Sequence, residues 1–183
     1  MKKAFVFLAN GFEDIEAIGT IDVLRRGELD VTTVSISNQR EVTSAYKNTV
    51  LADKLFNDVD LAEGDILILP GGMPGASNLN EHKELKEWLV KYNNEGKYIA
   101  AICAAPLVLG GLGILKGKKA TCYPSFESTL IGATHVEDGV VVDDNVITGK
   151  GPGFAICFGL KIVELLQGKT KADEVASGML ISR

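Results

Sequence analysis

Histidine, cysteine and tryptophan are scarce: two, three and one among 183 residues. Cys103, Cys122 and Cys157 are odd in number and widely spaced, which argues against a secreted disulfide framework and for a reducing, cytoplasmic setting. No Cys-x-x-Cys or His-x-x-x-His pair is present to join His82 or His135 in a tetrahedral site, so neither a metal nor another cofactor is expected. Positive charge is short as well. Nineteen Lys+Arg against 24 Asp+Glu give a formal charge of −5, and the scattered lysines leave no footprint for a nucleic-acid backbone. The longest uncharged stretch, residues 98–115, falls short of the usual ~20 for a membrane span. Pro106, Gly110, Gly111 and Gly113 would also break a helix in lipid, so the stretch reads as a buried strand followed by a short helix. The apolar run 4–9 is too short for a signal peptide and soon meets Glu13 and Asp14, so no export is expected.

What the sequence does hold is 46% apolar residues, enough for one globular domain over residues 1–183 with a sizeable core. Residues 3–8, 65–69 and 98–102 are continuous apolar runs, the mark of strands buried on both faces. Residues 30–37 alternate, and 42–46 with 49–52 suggest a small accessory hairpin. Shorter strands are expected at 120–123, 134–136, 140–142 and 146–148. Helices are predicted from Asp14 to Gly27, with Ile15, Ile18, Ile21, Val23 and Leu24 at near-helical spacing, and over 104–112. A third, over 81–94, should turn Leu85, Trp88 and Leu89 inward. Residues 154–166 are apolar on nearly all sides, as in a helix sandwiched between layers with Cys157 inside it. Strands alternating with helices give an α/β fold, a doubly wound and mostly parallel sheet with helices on both faces.

In such a sheet the reactive groups lie beyond the carboxyl ends of the strands, which selects the loops 10–16, 70–75 and 102–106. Cys103 follows a buried strand and opens a helix, the setting of a nucleophile elbow, although Ala101 and Ala105 replace the usual glycines. Helix-end amides favour a thiolate, and Glu16, in the first turn after the first strand, is a candidate partner. A protonated Glu16 would donate to the sulfur, whereas an ionised one would oppose its charge. Gly71-Gly72 could place amides with that of Ala104 as an oxyanion hole; a plain tight turn is the alternative. On composition alone Cys103 reads as a small apolar residue at the end of a core strand, the reading kept for Cys122 and Cys157. No phosphate-binding glycine pattern occurs. His82 is expected on a solvated helix face and His135 on a strand, with neither serving Cys103.

Gly11-Phe12-Glu13-Asp14-Ile15-Glu16-Ala17, Leu69-Pro70-Gly71-Gly72, Ala100-Ala101-Ile102-Cys103-Ala104-Ala105-Pro106 and Gly151-Pro152-Gly153 together resemble the ThiJ/PfpI superfamily, in the branch of the parkinsonism-associated protein DJ-one. The resemblance runs over essentially the whole chain and implies a flavodoxin-like fold and a homodimer. It places the reactive cysteine on Cys103, the protonated glutamate on Glu16 and the oxyanion-hole amides on Gly72 and Ala104, with Tyr123 and Pro152 lining the pocket. Tyr123 stands where several relatives carry a histidine, and Ala104 where the protease-like branch has one, so amide hydrolysis or amidotransfer lacks its imidazole. Lys47 falls near an arginine of some relatives and is not an equivalent donor. The implied activity is cofactor-free turnover of small reactive carbonyls, glyoxal or methylglyoxal and their protein adducts. The rival is a stress sensor or chaperone working through oxidation of Cys103.

Overall fold

The computed structural model describes residues 1–182. Strand β1 (Lys3–Leu8) lies in the interior of a seven-stranded sheet. It pairs in parallel with β2 (Asp30–Ser35) on one side and β6 (Ile66–Leu69) on the other, so the chain reverses its direction of winding at β1. The short β5 (Lys54–Leu55) extends the β2 edge. Beyond β6 come β7 (Tyr98–Ile102) and β11 (Val146–Gly149), both parallel, and then β10 (Val140–Asp143), antiparallel to β11. The hairpin β3 (Glu41–Thr43) with β4 (Thr49–Leu51) and the pair β8 (Lys119–Ala120) with β9 (Thr134–His135) form two small separate sheets.

The continuous apolar runs behave as their composition requires: every residue of β6 and β11 is buried, and so are the last four of β7. Helices close both faces. Helix α1 (Thr20–Arg26) packs on α5 (Ala155–Gln167), which packs on α6 (Lys169–Gly178). Helices α2 (Gly75–Glu81), α3 (Lys83–Asn94) and α4 (Pro106–Gly111) gather as a second group. Right-handed crossovers that run in opposite directions along the sheet, β1 to β2 through α1 and β6 to β7 through α3, put α1 and α3 on opposite faces.

Several expectations need correction. The helix expected over 81–94 runs over Lys83–Asn94, and α2, which was not expected, precedes it and meets it at His82. Its Nδ1 accepts the Leu85 N–H at 3.1 Å, and its ring packs against Phe56 with centroids 4.4 Å apart, so His82 caps α3 instead of facing water. Trp88 is only half-buried; Tyr92 takes the inner place, its hydroxyl donating to the Leu61 carbonyl at 2.5 Å. Cys157 is exposed, because α5 turns Ala155, Phe158, Gly159, Ile162 and Val163 inward and leaves the flank of its first turn outside. Ile15 and Ile18 are exposed as well, since residues Ile15–Gly19 form a π-helical turn whose wider winding directs Glu16 and Ala17 to the interior. Among the described residues no helix is long and apolar enough to cross a membrane.

Candidate functional site

Three chain segments converge beyond the carboxyl ends of β1, β6 and β7, where the winding reverses, the usual place for a site in an open α/β sheet. Cys103 is the first residue after β7 and has φ +65°, a left-handed conformation that side chains other than glycine rarely adopt. Its backbone is pinned at both ends. The Cys103 N–H donates to Gly149 O at 2.8 Å, continuing the register of β11, and its carbonyl accepts the Tyr123 N–H at 2.9 Å. A strained residue held by two separate stretches of chain is what keeps a nucleophile at a sharp turn. The side chain is nearly buried, at 8% exposure. The turn after it is made by Ala105 N–H to Ile102 O, and regular helix begins only at Pro106. With α4 only six residues long, the donors for the sulfur are individual amides rather than a long helix, and they are those of Gly72 and Ala104.

Glu16 is fully buried on the π-helical turn. Its Oε2 accepts the Gly71 N–H at 2.9 Å, while Oε1 is buried with no hydrogen-bond partner. Burial raises the carboxyl pKa to about 7; the thiol of Cys103 pulls it down, the negative charge of Glu13 pushes it up, and the Gly71 amide lowers it again. Burial likewise pushes the Cys103 thiol up, and an ionised Glu16 adds to that, against the Gly72 and Ala104 amides that favour the thiolate. The two groups therefore compete for one proton. With that proton on Glu16, its O–H can donate to the sulfur and the carboxyl's effect on the thiol changes sign. Glu16 is thus the group acting on the thiol whose protonation decides whether it opposes or favours the thiolate.

Gly71 has a role that sequence reasoning missed. A Cβ there would lie 2.6 Å from Glu16 Oε2 and 2.7 Å from Cys103 Cβ, so the position must be glycine for the acid and the thiol to meet. Its amide serves Glu16, while the amides acting on the Cys103 sulfur are those of Gly72 and Ala104. Glu13 was missed too: its Oε2 accepts the Glu16 N–H at 2.7 Å. The Glu-x-x-Glu spacing was the available signal, since a side chain that accepts from the amide three residues on caps a helical turn.

Tyr123 joins the cysteine to a cleft of about 310 Å³ lined by Tyr123, Pro152, Lys150 and Phe154 among others. Two larger surface grooves, one along α3 and one along α6, contain none of the site residues. His135 lies in β9 beside Glu137, and neither histidine is among the groups acting on Cys103. Lys47 sits at a left-handed turn with φ +69° and is exposed. All three cysteines are free thiols. Among the described residues no three His, Cys, Asp or Glu side chains cluster as metal ligands.

A chain with this sheet and this cysteine turn matches the model of the DJ-1/PfpI family over residues 2–165, and the protein belongs to that family. It is 44% identical to Arabidopsis thaliana DJ-1 homolog B over its whole length, although it spans only 42% of that plant protein. It is also 38% identical to the Caenorhabditis elegans glutathione-independent glyoxalase DJR-1.2, over 93% of this chain and 91% of that one. The solved structure of oxidised Toxoplasma gondii DJ-1 superposes with a TM-score of 0.96 at 36% identity, covering 100% of both chains.

Proposed function

We propose that the protein converts small 2-oxoaldehydes, methylglyoxal and glyoxal, to the hydroxy acids lactate and glycolate with no cofactor. The observation that carries this reading is the fully buried Glu16 carboxyl, raised to about 7 and set beside the Cys103 thiol across Gly71. The Cys103 thiolate attacks the aldehyde carbon, and the Gly72 and Ala104 amides hold the oxyanion of the resulting hemithioacetal. Glu16 gives its proton to that oxygen and removes the hydrogen from the former aldehyde carbon, leaving an enediol; it then returns that proton to the neighbouring carbon while the hydroxyl proton passes from the first oxygen to the second. The thioester so formed is hydrolysed by water, which releases the acid and restores the thiolate; the net reaction adds one water to the oxoaldehyde. The sulfur is the protein's own, in keeping with the glutathione independence in the name of the worm relative. The same thiolate could attack the carbonyl of sugar or oxoaldehyde adducts on proteins. NMR of methylglyoxal and lactate should show turnover in the wild type and none in Cys103→Ser or Glu16→Gln; unchanged turnover in either variant removes that residue's role.

A second reading is supported by the oxidised state named for the Toxoplasma relative. Peroxide takes Cys103 to the sulfenic and then the sulfinic acid, whose oxygens the Glu16 O–H and the Gly72 amide can hold. Mild peroxide followed by peptide mapping should add two oxygens at Cys103 alone; equal oxidation at all three cysteines refutes it. We also read the chain as a homodimer in the cytoplasm. The exposed Ile15 and Ile18, packed near Pro152–Phe154 with Phe154 itself exposed, form an apolar face suited to a second copy. A monomeric mass by light scattering at micromolar concentration rejects the dimer.

A further inference from the structure

Glu13 takes no part in the reaction as drawn, yet it stands in a closed ring of hydrogen bonds around the acid of the site. Its side-chain Oε2 accepts the Glu16 N–H at 2.7 Å. Its own N–H donates to Gly71 O at 3.0 Å, and Gly71 N–H in turn donates to Glu16 Oε2 at 2.9 Å. Its carbonyl accepts the Ala17 N–H at 3.1 Å, which fixes the turn on the far side of Glu16. The ring has no slack at the β6 side, because a Cβ on Gly72 would come within 2.4 Å of the Glu13 nitrogen. The groups acting on Glu16 are few: Cys103 from the end of β7, the Gly71 backbone from the end of β6, and Glu13. Glu13 is thus the one carboxylate acting on a carboxyl that must stay neutral.

We propose that Glu13 is a positioning residue for Glu16, seating its carboxyl against Cys103 through the backbone ring and using its own negative charge to keep the shared proton on Glu16 instead of the sulfur. The seat and the charge are separable. A glutamine at position 13 keeps an oxygen that can accept the Glu16 N–H, and removes only the charge. Alanine removes both. With the like charge gone, ionised Glu16 is favoured and the proton passes to the thiol, so less thiolate is present at neutral pH.

This rests on the Cys103–Glu16 pair of the proposed reaction, but it can be read without any carbonyl substrate. Cys157 is exposed and would also react, so the measurement is made in a Cys157→Ser background with Cys103 alkylation by iodoacetamide followed from pH 5 to 9 by peptide mass. Glu13→Gln should slow alkylation at pH 7 by roughly threefold to tenfold, the equivalent of half to one pKa unit moved from Glu16 to the thiol. Glu13→Ala should slow it further. A folded Glu13→Gln whose pH profile overlies that of the background overturns the electrostatic role. Equal rates in the glutamine and alanine variants overturn the seating role. Should the background protein alkylate as expected yet leave methylglyoxal unchanged, the reaction fails while the role of Glu13 stands.

Discussion

Replacing Glu16 by glutamine should make the protein more stable as the solution becomes more alkaline, an unusual sign for removal of a buried charge. The reason is the raised carboxyl pKa, about 7 in the folded chain against an ordinary 4.5. Below pH 4.5 the carboxyl is protonated whether the chain is folded or not, and folding costs nothing on its account. Between 4.5 and 7 the unfolded chain gives up the proton and the folded chain retains it, so stability falls with rising pH. The total loss is about 3 kcal/mol, reached near pH 7 and constant above it. The Cys103 thiol acts on the Glu16 carboxyl, so the comparison is best made between Cys103→Ala and Cys103→Ala/Glu16→Gln. Without the thiol, which pulls the carboxyl down, about 3 kcal/mol is a lower bound. Urea melts from pH 4 to 8.5 should show the difference between the two variants growing by roughly 1–2 M in midpoint in favour of glutamine as pH rises. A difference that does not vary with pH would mean that Glu16 is not held neutral by burial, and the proton shuttle would lose its basis.

Gly71→Ala should cost at least tenfold in Cys103 alkylation rate and about 2 kcal/mol in stability, because the new methyl group would press on both Glu16 and Cys103; thiol kinetics and urea melts read the two effects. Of the remaining cysteines, Cys157 should alkylate like a free thiol while Cys122, buried and pushed up to about 11, stays unmodified at pH 8 in native protein, as peptide mapping would show. Asp53→Asn should destabilise by about 1 kcal/mol at pH 7, since Oδ2 accepts from the Thr33 N–H at 2.9 Å and its hydroxyl at 2.7 Å. Burial pushes the Asp53 carboxyl up, but the Thr33 donors and Arg25 outweigh it and hold the pKa below 3.8. Its contribution is therefore present above about pH 4 and lost as pH falls through the folded value, so the melts of wild type and variant should converge in acid.

The sheet was legible because strands buried on both faces need continuous apolar runs, and 65–69 and 98–102 have them. Cys103 was legible for a topological reason: a thiol directly after such a strand can only stand at the sheet's carboxyl edge. Glu16 could be suspected but not placed, since sequence does not show that the turn around it is π-helical, and that winding buries Glu16 while exposing Ile15 and Ile18. The break at His82 was hidden because histidine is not among the usual capping residues, and no glycine or proline marks the boundary. Trp88 and Tyr92 lie four apart on one face of α3, and only the Leu61 carbonyl, far away in sequence, decides that the tyrosine goes inside. Gly71 was read with Gly72 as a source of oxyanion-hole amides or as a plain turn. That its amide grips a side chain 55 residues earlier is a tertiary fact, with no local trace.

The acid, its amide clamp and the sulfur come from three separate stretches of chain, and none is supplied by a neighbour along the backbone. Half-made protein, or chain loosened by damage, thus exposes an ordinary cysteine with an ordinary appetite for electrophiles. In the proposed reaction the sulfur gains its nucleophilic character only when the central strands lock side by side. Quick labelling of this one atom can serve as a built-in gauge of whether a given molecule has finished folding.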